Sequence, residues 1–389
     1  MKRPWVAGTI LLAATAPAWL AACSRTSPPP PARGGGDKQP MTDWPIYRGD
    51  PGMTGVAPGK LADRLTLRWT FKTADAVTGS PVVVGGRVYI GSADANVYCL
   101  DLATGEKRWS YDAKDAVDAP PTCMGGVVYV GANNSFLYAL DANTGTLKWK
   151  FETEDKILGA ANTFVDAQTG RRRIVFGSHD FRLYCLDAET GEKRWEYEAE
   201  NYILGGVAVA DRRTVFGGCD SIIHVVGADG KAVRKIDAGA YVTATPAFDG
   251  GKVYVGNHEG AFVCADVASG KIDWTYEGED PFVASPAVTA DRVILASRDG
   301  SVHCVGRETG KRIWAFPTKD EIESSPVVCG GKVVFGSGDG RLYVVRLADG
   351  KKLWSHELGD AVGSSPAVAG GYVVIGCDDG RVYAFGAGP

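Results

Sequence analysis

Short apolar runs, broken by glycine pairs and by Asn, Asp and Ser clusters, recur along this chain with a constant rhythm. In the first copy Ser80-Pro81-Val82-Val83-Val84 and Val88-Tyr89-Ile90-Gly91 flank the pair Gly85-Gly86. Asp94-Ala95-Asn96 then leads into Val97-Tyr98-Cys99-Leu100-Asp101, and Ala103-Thr104-Gly105 into Glu106-Lys107-Arg108-Trp109-Ser110-Tyr111. Runs this short, rich in β-branched and aromatic residues, predict strands, and the corner residues supply the positive φ angles of tight hairpins. Each copy reads as a four-stranded antiparallel meander.

One glycine at the end of the second run aligns the copies: Gly91, Gly131, Gly177, Gly217, Gly256, Gly336 and Gly376, with Ala296 standing in the sixth. The spacings are 40, 46, 40, 39, 40, 40 and 40 residues. A period near forty with four strands per unit predicts an all-β chain folded as an eight-bladed β-propeller. The eighth copy, Ser365 to Phe385, holds only three strands, and the missing fourth stands ahead of the first copy at residues 67–72. N- and C-termini are therefore expected to close one blade together, which removes an exposed sheet edge.

A tryptophan four residues after the turn glycine recurs as Trp109, Trp149, Trp195, Trp274, Trp314 and Trp354, with Trp69 in the N-terminal strand and Arg234 in its place in the fourth copy. An indole that buries about 150–250 Å² is worth roughly 4–6 kcal/mol at most. Structural wedges between blades are the expected role.

Outside the repeats the pattern changes. Residues 1–22 carry Lys2 and Arg3, then an apolar stretch too short to span a bilayer, then small residues; this is the form of a signal peptide. The segment ends Leu20-Ala21-Ala22-Cys23, which resembles the lipobox of bacterial lipoproteins and implies lipid attachment at Cys23. Ser24 follows rather than aspartate, which favours the outer membrane. Residues 23–43 are rich in Pro, Gly and Ser and read as a tether. Residues 44–66 form a lead-in, and residues 67–389 the propeller. The formal charge of −4 becomes −6 once Lys2 and Arg3 are removed, so nucleic acid is not an expected partner.

The ending Asp141-Ala142-Asn143-Thr144-Gly145 followed by Trp149 is similar to the PQQ-type propeller repeat, and the resemblance runs from Trp44 to the C-terminus. Two families share that repeat. Quinoprotein dehydrogenases use PQQ with calcium, and the lead-in Asp43-Trp44-Pro45-Ile46-Tyr47-Arg48-Gly49-Asp50 is similar to their mature start. The other family is the BamB type of outer-membrane-assembly lipoprotein, a scaffold that binds the barrel-assembly machinery and has no catalytic site. The dehydrogenases insert long segments between blades and many pair adjacent cysteines; here the units are nearly uniform and no two cysteines adjoin.

The repeats act as their own control on candidate chemistry. Cys99, Cys185, Cys264 and Cys304 alternate with Ala139, Val225, Val344 and Ala384 at one position, the mark of a small core side chain. His224 and His303 replace a tyrosine that other copies carry. No metal-ligand spacing or catalytic set emerges. The sequence therefore predicts no catalytic residue, no metal and no cofactor, with PQQ and calcium as the alternative.

Three features resist this control. Asp75, Asp115, Asp155, Asp280, Asp320 and Asp360 recur in the crossover between blades, with Asn201 and Ala240 in the remaining copies. They read either as turn caps or as an acidic collar for a basic partner. Next to them stand the bulky Ile157, Leu158, Tyr202, Leu204, Tyr241 and Phe282, read as blade core or as a docking patch. The 46-residue spacing arises from a longer hairpin with Arg171, Arg172 and Arg173, read as a solvated loop or as a contact for anionic lipid or acidic protein.

The leading expectation is a monomeric, non-catalytic scaffold, lipid-anchored in the cell envelope, that binds an envelope protein such as the barrel-assembly machinery from the periplasmic side of the outer membrane. A PQQ-dependent oxidoreductase and a cell-surface sensor or carbohydrate-binding propeller are the alternatives.

Overall fold

The computed structural model describes Met1 and residues 42–388. The signal peptide, Cys23 and almost all of the tether lie outside the described residues. Strands and turns follow the repeat: eight sheets, each built on a four-stranded antiparallel meander, stand around one axis, and in all but the eighth the four strands are consecutive in sequence. In blade one the strands are Val82–Val84, Arg87–Gly91, Asn96–Asp101 and Lys107–Asp112. Blades two to eight repeat this order, with first strands beginning at Thr122, Asn162, Ala208, Ala247, Ala287, Val327 and Ala367.

The expected closure is present. Leu65–Lys72 pairs antiparallel with Arg381–Ala387 and supplies the outer strand of blade eight. That strand is two residues longer at its start than the sequence pattern marked.

The alignment glycine has a packing cause. A Cβ at Gly91, Gly131, Gly177, Gly217, Gly256, Gly336 or Gly376 would run into the buried apolar residue of the following crossover: Val117, Ile157, Ile203, Val242, Phe282, Val362 and Val77 in turn. Each blade thus accepts its neighbour's crossover as a knob against bare backbone.

The tryptophans sit one blade over from their own turns. A β-bulge in the fourth strand precedes each one, as between Lys107 and Trp109, and aims the indole across the seam. Trp109 Nε1 donates to Ala142 O at 3.1 Å, and the same bond runs from Trp69 to Leu102, Trp195 to Ala228, Trp274 to Arg307 and Trp314 to Leu347. Across the bulged pair the small residue of the third strand faces the ring, as Cys99 faces Trp109 and Cys185 faces Trp195. All eight described cysteines are free and buried, and burial pushes the Cys99 thiol up to about 12. Arg234 follows the same rule without a ring: its stem lies against Gly270 and Nη2 donates to Ala268 O at 2.6 Å.

The lead-in forms a clasp across the inner ends of the blades. The innermost strand of a propeller blade has an unpaired edge facing the axis, and its N–H groups need acceptors. The carbonyls of Trp44, Pro45, Pro51, Gly52, Thr54 and Gly55 accept from Val83, Cys123, Val209, Phe248, Val288 and Val328, one in each of blades one, two, four, five, six and seven. Blade three satisfies the equivalent Thr163 N–H with the side chain of its own Asn162. Val56–Ala57 then adds a short parallel strand to blade seven.

Candidate functional site

Strand direction sorts the loops onto two faces. The crossovers and the turns between second and third strands share one face; the Gly-Gly turns and the Ala-x-Thr-Gly turns share the other, where Asp43 meets Gly85 and Thr42 meets Gly370. All the acidic and aromatic candidates therefore gather on the crossover face, while Arg171, Arg172 and Arg173 lie on the opposite one.

The recurring aspartates are exposed and hold their own turns. The Asp75, Asp115, Asp155, Asp320 and Asp360 carboxylates accept the amide of the following residue at 2.7–2.9 Å. Asp280 precedes Pro281, which has no N–H, so its carboxylate lacks that bond. Asn201 uses its Oδ1 in the same way toward Tyr202. One carboxylate oxygen caps the turn, as the cap reading expects, and the side chain stays exposed.

The bulky candidates separate into three groups. Ile157 is 0 % and Phe282 1 % exposed; both are the knobs that pack on Gly131 and Gly256, so neither is available to a partner and the docking reading fails for them. Leu158 and Leu204 are half-buried and face the propeller axis. Tyr202 and Tyr241 are 42 % and 57 % exposed. They stand in the two crossovers where the aspartate ring is interrupted by Asn201 and Ala240.

A third exposed aromatic, absent from the sequence reading, joins them. Phe181 lies edge-on to Tyr202 with ring centroids 5.0 Å apart, and His179 sits 4.9 Å from the same tyrosine. Phe181 has φ 72°, a left-handed conformation costly for a bulky residue. The other seven blades place Ala95, Ser135, Ser221, Gly260, Gly300, Gly340 and Gly380 there. That contrast was legible in the repeats; the positive φ that makes it costly was not. Phe181 and Tyr202 thus form an aromatic notch in an acidic rim, and Tyr241 is exposed in the next crossover.

The arginine hairpin is a correction in part. Arg173 is buried, and its guanidinium is taken by Asp187 at 2.5 Å and Asp166 at 3.0 Å; Arg194 also reaches Asp187 at 3.1 Å. Only Arg171 is well exposed, and Glu189, Asp211 and Asp229 stand in the adjoining loops. The pairing takes Arg173 out of the basic set and leaves Arg171 and half-buried Arg172.

His224 and His303 have structural partners. His224 Nε2 lies 2.9 Å from Asp220 and Nδ1 3.0 Å from the Tyr197 hydroxyl, and His303 makes the same pair of bonds to Asp299 and Tyr276. These replace the direct Tyr–Asp bond of the other seams, as between Tyr184 and Asp180 at 2.7 Å.

Along the axis the clasp inserts two side chains. The Tyr47 hydroxyl meets Ser325 Oγ at 2.8 Å. Arg48 is buried with donors on the carbonyls of Ser325, Pro286 and Pro326, and desolvation pushes its guanidinium down to about 10. Above them runs a necklace of hydroxyls: the amides of Gly206, Thr245, Ser285, Ser325 and Ser365 donate to Thr245, Ser285, Ser325, Ser365 and Ser80 respectively. It stops at Pro120 and Ala160, which have no hydroxyl.

The axial cavity above this floor is where a quinone and its cation would be tested. Its sole charged lining residue is Glu323, and among the described residues no group of three His, Cys, Asp or Glu could hold a metal. PQQ is a tricarboxylate and needs cationic partners. These residues do not fit it.

No curated protein sequence matches the chain. Among solved structures, BamB from Moraxella catarrhalis superposes with a TM-score of 0.69 at 19% identity, covering 83% of this chain and 100% of its own. Quinohemoprotein alcohol dehydrogenase from Comamonas testosteroni gives 0.77 at 17% identity, covering 90% and 81%. The computationally designed Ika8 protein gives 0.71 at 18%, covering 86% and 99%. Identities this low establish the shared fold. The family model described as outer membrane protein assembly factor BamB matches residues 62–202 and 219–387, and the chain belongs to that family.

Proposed function

We propose that this protein is a non-catalytic scaffold of the cell envelope that binds a partner protein through its crossover face, as a component of outer-membrane protein assembly. The observation that carries the reading is the aromatic notch: the carboxylate ring breaks at two adjacent crossovers, both present exposed tyrosines, and Tyr202 packs against a strained, exposed Phe181. Exposed aromatics in a charged surround are the usual make-up of a binding hot spot and its rim. The mismatch between the axial cavity and PQQ weighs against the dehydrogenase alternative.

The N-terminal sequence adds an anchor to this reading. A chain lipidated at Cys23 and tethered through residues 23–43 would be held at a membrane with the propeller in the periplasm.

The test is capture of a barrel-assembly protein by the purified chain. Capture that is lost with Tyr202→Ala and Tyr241→Ala, and weakened by charge reversal at Asp155 and Asp280, is the expected result. Stoichiometric retention of PQQ with calcium through gel filtration, together with dye-linked alcohol oxidation, would overturn it.

A further inference from the structure

The axial cavity opens on the same face as the notch and measures about 180 Å³. Its walls are unlike on two sides. Leu158, Leu204 and Val283 make one side apolar, whereas Ser80, Ser365 and Glu323 make the other polar. Each necklace hydroxyl accepts one backbone N–H; the Tyr47 hydroxyl also meets those of Ser285, Ser325 and Ser365, so Thr245 and Ser80 are the members that keep a second lone pair unused. Gly363 at the rim faces open space, since a Cβ there would meet nothing within 4 Å.

The electrostatics of the face point one way. Its crossover and turn loops hold the aspartate ring together with Asp94, Asp180, Asp220, Asp299, Asp339 and Asp379, against Lys114, Lys156, Arg298 and Lys319 as the cations. Arg298 is engaged with Glu321 and Glu323. A concave mouth ringed by such groups concentrates their field along the axis.

We propose that the axial mouth is a socket for one long cationic side chain, a lysine or arginine presented by the partner protein. The aliphatic stem lies along Leu158, Leu204 and Val283, in the manner of a snorkelling side chain. The head, which has donors and no acceptor, finds the Glu323 oxygen that Arg298 does not take and the remaining lone pair of Ser80. The socket rests on the reading that partners dock on the crossover face, and it adds an anchor distinct from the notch.

The probe is an acetylated, amidated pentapeptide with one central lysine between alanines, titrated into the propeller by calorimetry. Its counterpart acetylated on the lysine side chain and a neutral disaccharide, maltose, serve as controls. The lysine peptide is expected to bind, about tenfold more weakly to Glu323→Gln, and not at all to Gly363→Leu, whose side chain fills the mouth. An unchanged melting temperature shows that each variant is folded. Equal binding of the acetylated peptide, binding of maltose instead, or no binding of the lysine peptide at millimolar concentration overturns the socket. Partner capture separates the two readings: if Gly363→Leu captures normally while Tyr202→Ala does not, the notch stands and the socket falls. If neither variant affects capture, docking on this face is itself wrong.

Discussion

The indole of Trp109 lies against Gly145 of the next blade while its N–H caps the carbonyl of Ala142. Ring and glycine belong to different sheets, so one contact joins two blades, and it recurs around the ring. Trp109→Ala removes an aromatic wedge and one of the donors to the Ala142 carbonyl, the Tyr89 hydroxyl and Arg87 remaining, for an expected loss of about 3–5 kcal/mol. Denaturant unfolding checks this. Arg234→Trp is the converse: the site has Gly270 and the Ala268 carbonyl in place, so a rise in the unfolding midpoint is expected. A fall would show that blade four is shaped for arginine.

Arg48 ties the clasp to blades six and seven from within the axis. Arg48→Ala leaves the Ser325, Pro286 and Pro326 carbonyls without donors and opens a void, with an expected loss of about 3 kcal/mol or more. The urea midpoint reads it. A change under about 0.5 kcal/mol would mean that the clasp holds through its backbone alone.

Stability should fall on acidification. Burial depresses the pKa of His224 below 6.5, with Asp220 opposing, and burial depresses His179, His258 and His356 as well. The unfolded chain then takes up these protons first, so stability is complete above about pH 6.5 and is lost as pH drops below it toward the folded values. The depressed carboxylates, such as Asp299 and Asp379, titrate below 3.8 and act at lower pH. His224→Tyr installs the residue found in five other blades and should flatten the loss of melting temperature between pH 7 and 5. Parallel curves for the two proteins would refute the assignment.

Phe181 predicts a trade between stability and binding. Phe181→Gly relieves a left-handed bulky residue and should raise stability by about 1 kcal/mol, while partner affinity drops. A variant that gains stability and keeps full affinity would remove Phe181 from the notch.

Cys23→Ala should release the protein from membranes. Mass spectrometry of the wild-type N-terminus is expected to show a lipid-modified Cys23, and a soluble, unmodified wild-type chain would contradict the anchor.

The sequence by itself determined the eight blades, because a forty-residue period in glycine, tryptophan and strand pattern leaves one closed architecture that pairs every blade. It also determined the closure through residues 67–72, since the eighth copy lacked a strand that the N-terminus had to spare. Repetition further stripped Cys99 and His224 of apparent chemistry by showing Ala, Val and Tyr at the same positions. What it could not decide was which side of a residue faces water. Ile157 and Tyr202 stand two and one residues after their ring positions and look equally bulky in the chain. A strand entry turns one onto Gly131 of the preceding blade and leaves the other on the surface. Arg173 likewise resembles Arg171 until Asp187 and Asp166 converge on it. The clasp was the least legible element, because the acceptors its carbonyls supply are needed only once eight inner edges have been brought around a common axis.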